Sequence, residues 1–490
     1  MTRLHHDSET SGPRRIFLRA VLGVALALFV VGGFLAGLFF LTHLSVLTGT
    51  ASPPPETQPG VAVDSSGGAA PPAALGLPTK QASDPRFAFL LMGYGGAGHD
   101  GAYLTDSMIV AIVDPNQKSI SLLSIPRDIW APMVFSEKTT VYNKINTAYA
   151  FAEDSSLYPD RLSRYKGKQG PGTFAMDTVS RLLGIPISYY LSLDFAGFRQ
   201  MIDTVGGIDV NVPDSFSARY PANDDPSVDP SWKIVKFTKG PQHMDGERAI
   251  EYARAREAID NIAEGSDFAR SQRQRLIMEA FKARLFQPGG LIHLPQLIAV
   301  GTSHMDTNYA LPSVVQFAQL ALGWKDVRFY QTALTNQNYL ADSTGPEGTY
   351  ILVPDAQDHS WARVQAFARR LWQDPAVGVA MANTEVVVEN DAGVAGLAGQ
   401  VGTDLAKLGY RVGTPITGTV ATHSGVVDQT GGAGKALVLG LEADLHMKLG
   451  AVQAAATSDP ARITLKIGSD YAGAAGSRGS LDAAIQAAKP

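Results

Sequence analysis

Residues 106–128 read Asp106-Ser-Met-Ile-Val-Ala-Ile-Val-Asp114, Pro115-Asn-Gln-Lys118, Ser119-Ile-Ser-Leu-Leu-Ser-Ile-Pro126-Arg127-Asp128. Two β-branched, apolar runs flank a short Pro/Asn/Lys turn, which predicts an antiparallel hairpin. If Asp114 closes against Ser119, strict pairing sets Asp106 opposite Arg127. An acid and a base then meet at the open end of a hairpin whose middle is apolar and buried. Pro126 has no amide hydrogen for a ladder, so pairing stops there and Arg127-Asp128 leaves the sheet. The geometry fits a functional site and equally a structural ion pair at a sheet rim.

Outward from this hairpin, 490 residues allow two or three domains with full cores. A net charge of −5 gives no global basic footprint for nucleic acid. The chain has no cysteine, which removes disulfides, thiolate metal sites and cysteine nucleophiles.

Residues 1–19 are polar and carry Arg3, Arg14, Arg15 and Arg19. Ala20 to Leu41 holds no charged or strongly polar residue, about 22 positions, enough for a helix to cross a bilayer. From Thr42 to Gln81 the one Lys or Arg is Lys80. The asymmetry keeps the amino terminus in the cytoplasm and exports the rest. A cleaved signal peptide is the alternative, although its apolar region spans only about 7–15 residues. The expected organisation is an anchor over 20–47 and a Pro/Ser/Gly-rich linker over 48–85. A main globular domain over 86–373, a small α/β domain over 384–468 and a loose tail over 469–490 follow.

Phe87–Met92 reads as a buried strand, and Gly93-Tyr-Gly95-Gly-Ala-Gly98 follows it. This matches a dinucleotide fingerprint, with Asp114 as the distal acid. The match fails on length, because His99–Thr105 cannot hold the crossover helix that a parallel connection needs. A loop with His99 and Asp100 near its tip, hanging over the Asp106 end of the hairpin, is the better reading.

Further along, Lys144-Ile-Asn146 opens an expected helix, and Phe174–Leu183 forms another that Gly184 and Pro186 stop. Ser188–Leu193 alternates like a strand. Asp194 caps a helix through Thr204, ended by Gly206-Gly207, and Ile208–Val212 is a strand. Arg219–Trp232 reads as an exposed loop. Asp245 caps a helix over Gly246–Ala253, followed by Arg254-Ala-Arg256. Residues two apart share a side only in extended chain, so two arginines serving one anion require the helix to have ended. Ser266-Asp267 caps a helix from Phe268 to Leu285. On it Arg270 and Gln274 share a face with Ile277 and Phe281, a pattern suited to a charged head with a greasy tail, or to core packing. Thr349–Val353 is a late strand and Asp374–Thr384 a joint. The last module shows no cluster of titratable side chains and reads as partner- or glycan-binding.

Taken together, the ordered motifs resemble the LytR-CpsA-Psr family. They are Thr105-Asp106-Ser107-Met108, Ser124-Ile-Pro126-Arg127-Asp128, Lys144-Ile-Asn146, Asp194-Phe-Ala-Gly-Phe198, Val205-Gly-Gly-Ile-Asp-Val210, Asp245-Gly-Glu-Arg-Ala249, Tyr252-Ala-Arg254-Ala-Arg256 and Asp267-Phe-Ala-Arg270-Ser-Gln-Arg273-Gln274. The resemblance runs from Phe87 to about Trp372. Glu385-Val-Val-Val-Glu-Asn390 with Gly396-Leu-Ala398 resembles, more loosely, the LytR carboxy-terminal domain. The resemblance implies an α/β fold, a mixed sheet sandwiched between helical layers, with an apolar tunnel for a lipid tail. It implies a membrane-anchored, extracytoplasmic transferase that moves a glycopolymer from a polyprenyl-pyrophosphate carrier to a peptidoglycan hydroxyl. Arg127, Lys144, Arg254, Arg256, Arg270 and Gln274 fall on its pyrophosphate-binding positions. Asp106, Arg127, Arg254 and Arg256 fall on the catalytic ones, with Asp128 and His99 as lesser candidates. Mg2+ (or Mn2+) is the implied cofactor, held by Asp106 and Asp100. Gly95 and Leu104 stand where the family usually carries an acid and an arginine. Asp100 or His99 substitutes for that acid, or the chemistry rests on fewer groups. The alternatives are hydrolysis of the same lipid and a non-enzymatic wall-binding or regulatory protein; nucleic acid is not an expected partner.

Overall fold

The computed structural model describes residues 76–99, 101–223, 225, 228–255, 257–265, 269, 273, 276–277, 279–281, 283–284, 287, 293–309, 327–355, 360–450, 453–454 and 461–473. The expected anchor and most of the linker lie outside these residues. Among the described residues no helix is long and apolar enough to cross a membrane.

The run Phe87–Tyr94 forms β1, almost wholly buried. Thr105–Asp114 and Ser119–Ile125 form β2 and β3, antiparallel from Asp114↔Ser119 to Met108↔Ile125, the register that the turn predicts. One oxygen of Asp114 closes that turn by accepting from the amides of Asn116 and Gln117, each at 2.9 Å. Between β1 and β2 the described residues form turns, with Gly96 and Gly98 at positive φ. Trp130–Val134 (β4) and Thr140–Lys144 (β5) form a second hairpin, with Trp130 opposite Lys144. Lys144 therefore ends a strand rather than opening a helix, and the helix starts at Thr147 and runs to Glu153. The β-branched and aromatic residues of Thr140-Val-Tyr142 decide this locally. The next helix, Gly170–Leu183, begins four residues before Phe174, with proline in its first turn, and closes on Gly184 at φ 63°.

The chain divides into two compact units, one holding Leu91–Ala102 and Tyr190–Val327 and the other Leu44–Leu90, Tyr103–Tyr189 and Arg328–Pro490. In the first, β6 (Tyr189–Asp194) leads into a helix over Phe195–Thr204, whose cap is Asp194 accepting from the Gly197 amide at 2.7 Å. Strand β7 (Ile208–Val212) follows. Strands β8 (Phe216–Pro221) and β9 (Trp232–Phe237) pair from Phe216↔Phe237 to Pro221↔Trp232. Arg219 and Tyr220 thus belong to β8, alternating outward and inward, rather than to the expected loop. Strand β10 (Gly240–Met244) pairs with β7 and feeds the helix Gly246–Arg254, where Asp245 caps as expected. Strand β11 (Glu257–Ala258) joins β8. The described residues between 269 and 284 are helical, and Ile277 and Phe281 are buried among Met201, Ile208, Phe216 and Tyr252, so their role is core packing. The helix Leu294–His304 leads to β12 (Met305–Thr307), antiparallel to β6.

In the second unit β13 (Arg328–Ala333) runs parallel to β3, and the main sheet has the order β12–β6–β1–β2–β3–β13. Parallel and antiparallel neighbours make it mixed, and helices accompany it. Strands β14 (Leu340–Thr344) and β15 (Tyr350–Pro354) form a hairpin. The helix Ala362–Gln373 is followed by a helix over Pro375–Asn383 where the sequence reads as a joint; Asp374 caps it. Its Val377 and Met381 enter the core of the last module. That module orders its strands β17 (Arg411–Val412), β16 (Glu385–Asn390), β21 (Arg462–Ile467), β19 (Gly425–Asp428) and β20 (Gln453–Ala454), with β18 (Ile416–Thr417) against β16. Helices Leu397–Lys407 and Lys435–Leu445 supply the rest of its core. Titratable groups do cluster there: Asp444 meets both Arg370 and the buried Tyr410 hydroxyl.

Candidate active site

At the open end of the β2–β3 hairpin, Arg127 Nη1 donates to Asp106 Oδ1 at 2.9 Å. Strand pairing ends at Met108↔Ile125, so this side-chain contact continues the register beyond the last ladder pair. Past Pro126 the chain leaves the sheet, and Arg127 Nε comes to 3.5 Å from Asp128 Oδ2. Lys144 Nζ donates to Asp128 Oδ1 at 2.7 Å. Asp106, Arg127, Asp128 and Lys144 thus form one chain of alternating charge, about a quarter to a half exposed and open to a ligand.

Main-chain bonds hold this cluster from three sides. The Asn146 carbonyl accepts from the Thr105 amide at 3.1 Å, and its own amide donates to the Arg127 carbonyl at 3.3 Å. One residue therefore clamps the two ends that carry Asp106 and Arg127. The Leu352 amide of β15 donates to the Asp128 carbonyl at 2.9 Å. The β4–β5 register delivers Lys144 beside Trp130, two residues from Asp128. Burial acts against the Arg127 charge, but the carboxylates of Asp106 and Asp128 outweigh it and hold its pKa above the ordinary value. The guanidinium is permanently cationic, and its five donors match two phosphate oxygens at a time.

Arg254 is the last residue of the helix Gly246–Arg254. At Ala255 the helix has ended, with φ −53° and ψ 122°. Arg254 Nη1 donates to Tyr220 Oη at 3.0 Å, and its guanidinium lies 4.7 Å from the Phe195 ring centroid. The His99 ring meets Phe195 edge-on at 5.4 Å, so Phe195 brings His99 and Arg254 together. Arg256, Arg270, Gln274 and Asp100 lie outside the described residues.

Arg273, quoted in a motif but given no role from sequence, is almost fully buried. It donates to the Tyr252 carbonyl at 2.9 Å, to the Glu264 carbonyl and Oε2 at 2.7 Å each, and to the Ala255 carbonyl. It pins the exit of the Arg254 helix from beneath. Its signal in the sequence is a cation in line with the apolar stripe of its helix: Arg273, Ile277 and Phe281 recur every four residues. Asn146 left a weaker signal, since its clamp uses main-chain atoms that any residue owns.

Three comparisons bear on this arrangement. The model of the LytR_cpsA_psr family matches residues 64–361, and that described as LytR cell envelope-related transcriptional attenuator matches residues 383–471. A polyisoprenyl-teichoic acid–peptidoglycan teichoic acid transferase, TagV of Bacillus subtilis, is 31% identical over 55% of this chain and 61% of its own length. A TagU transferase of Enterococcus faecalis is 29% identical over 47% of this chain and 64% of its own. The chain thus spans about three fifths of these relatives. The crystal structure of B. subtilis TagV aligns over 59% of this chain and 98% of that one, at 27% identity and a TM-score of 0.40. With its family model matched over more than half its length, the chain belongs to the LytR-CpsA-Psr family.

Proposed function

We propose that this protein is a phosphotransferase that moves a glycopolymer from a polyprenyl-pyrophosphate carrier to a peptidoglycan hydroxyl. The observation that carries the reading is the Asp106–Arg127–Asp128–Lys144 cluster at the rim of the main sheet. Two fixed cations stand beside carboxylates, with faces left open to solvent. In the reaction the acceptor oxygen attacks the glycan-bearing phosphorus, the phosphoanhydride bond breaks and polyprenyl phosphate leaves. Such transfer demands mainly positioning and neutralisation of phosphate charge. Arg127 and Lys144 supply that charge here, and Arg254 is a further candidate for it. Asp106 is the candidate acceptor of the hydroxyl proton. Curated relatives named as teichoic acid transferases support the substrate class.

Asp106 offers hard oxygen donors, of the one- or two-carboxylate kind with which magnesium pairs when phosphate and water fill its shell. Asp106, with Asp100, would hold the cation, which when bound would draw charge from the phosphates; manganese suits the same donors. The chain is further proposed to be anchored by Ala20–Leu41 with its amino terminus in the cytoplasm, so that the catalytic and terminal domains lie outside the cell membrane. A reporter fused after Gln81 tests this, and cytoplasmic activity overturns it.

Product analysis tests the function. Purified chain given a polyprenyl-pyrophosphate glycan, wall-fragment acceptor and magnesium should join glycan phosphate to the acceptor. Glycan phosphate released only into water would make the protein a hydrolase instead.

A further inference from the structure

The hairpin of β14 and β15 stands against the charged cluster. The Leu352 amide donates to the Asp128 carbonyl at 2.9 Å, and Ile129 pairs with Leu352 in a parallel bridge. Two residues back along both strands, that register sets Tyr350 level with Arg127. Across the hairpin Tyr350 is paired with Thr344, and Asp342 lies two residues from Thr344, so the three share a face. Tyr350 Oη donates to Asp342 Oδ1 at 2.7 Å, and the Asn336 side-chain amide donates to both oxygens of that carboxylate at 3.0 Å each. Tyr350 is nevertheless 51% exposed. Partial burial and the carboxylates of Asp342 and Asp128 hold its phenol above the ordinary pKa of 10, so the hydroxyl stays a neutral donor. From Asn336 to Tyr350 the sequence has no Lys or Arg, and its two charged residues are the acids Asp342 and Glu347.

We infer that this face of the β14–β15 hairpin is the acceptor subsite and binds an uncharged N-acetylhexosamine segment of a glycan chain. The inference rests on the proposed transfer, which brings two partners to one place. Arg127 and Lys144 serve the anionic carrier head, whereas a hairpin with acids and no cation opposes phosphate. A sugar presents what this face complements. Its ring carries a side of C–H groups that can lie on the exposed tyrosine, and its hydroxyls and acetamido groups can bond to the Asp342 carboxylate, the Asn336 amide and the Thr344 hydroxyl. Tyr350, Asp342 and Asn336 are already tied to one another, so little side-chain freedom is lost when the sugar arrives. A sugar seated level with Arg127 lies beside the phosphate that the arginine neutralises, where an attacking hydroxyl is needed.

The test is binding without turnover. Full-length chain in a zwitterionic detergent would be titrated with chitotetraose, a neutral chain of four N-acetylglucosamines, and followed by saturation-transfer NMR of the sugar. The parent should bind it. Tyr350→Ala should weaken binding about tenfold, and Tyr350→Phe, which keeps the ring and loses the bond to Asp342, about threefold. Affinity for polyprenyl pyrophosphate, measured on the same variants, should change less than twofold. An unmoved melting curve for Tyr350→Phe keeps the comparison within folded protein. No binding by the parent at millimolar sugar overturns the inference, as does equal binding by the parent and Tyr350→Ala. Loss of polyprenyl pyrophosphate affinity in step with sugar affinity would give the hairpin to the carrier and also overturn it. So would variants that lose a free wall stem peptide and keep chitotetraose. No reaction enters the measurement, so a failed transferase assay leaves this result intact, and the reverse holds.

Discussion

Replacing Arg273 with methionine keeps the unbranched stem packed near Phe216 and removes a buried guanidinium that makes four hydrogen bonds. Three of these go to the carbonyls of Tyr252, Ala255 and Glu264, and the fourth goes to the Glu264 carboxylate. Removing one partner of a buried ion pair costs about 3–5 kcal/mol, because the other is left uncompensated. Glu264 retains some access to water, at 14% side-chain exposure, which lowers its share. The stranded carbonyls add about 1–3 kcal/mol each before relaxation. Relaxation of those carbonyls and relief from burying the guanidinium offset much of this, which leaves about 3–4 kcal/mol for Arg273→Met. Glu264→Gln keeps the carbonyl contacts but leaves the buried Arg273 charge without its anion, and should cost about 3 kcal/mol. Urea unfolding followed by tryptophan fluorescence measures both. At urea concentrations where Arg273→Met is still folded, turnover should fall as well, because the exit that orients Arg254 loses its pin. A loss below about 1 kcal/mol for Arg273→Met would refute the claim that this arginine organises the exit.

Other consequences follow from the same contacts. Lys144→Met removes a partly exposed partner of Asp128 and should change stability by no more than about 1 kcal/mol, while transfer in a steady-state assay falls at least tenfold. Burial raises the Asp84 pKa, but hydrogen bonds from Arg86 and the Trp372 indole outweigh it and leave the carboxyl below its ordinary 3.8. Its stabilisation is then complete above the unfolded value and disappears as pH falls through the lower folded one. Asp84→Asn should flatten that acid limb in a pH series of denaturation midpoints. Cutting the chain after Asn383 removes the Gly409 carbonyl that accepts from Tyr339 Oη at 2.9 Å and exposes the fully buried Tyr339 and Phe367. The shortened protein should melt lower and aggregate, and an unchanged melting curve would contradict the observed packing.

Much of this arrangement was legible in the sequence because it rests on local rules. Continuous β-branched, apolar runs and a four-residue turn give the hairpin register, and proline marks where Arg127 leaves the sheet. Asp194 and Asp245 announce their helices by the capping chemistry that they then perform. What remained hidden depends on distant partners. Lys144 reads as a helix start until β4 is available to pair with it. The glycines of Gly170-Pro-Gly172 disguise a helix onset that packing secures. Pro375–Asn383 looks like a joint because alanine and glycine give little periodicity, yet its small side chains let it pack closely, with the Gly378 Cα facing the Leu371 backbone.

The most direct measurement is the rate of polyprenyl phosphate release by the parent chain, Arg127→Ala and Arg254→Ala with the same lipid-linked glycan, acceptor and magnesium. A guanidinium that stabilises phosphate charge in the transition state is worth about 2–4 kcal/mol, so each variant should be slower by roughly 30- to 1000-fold while remaining folded. Folded variants that release polyprenyl phosphate as fast as the parent would contradict the assignment of these arginines to the reaction.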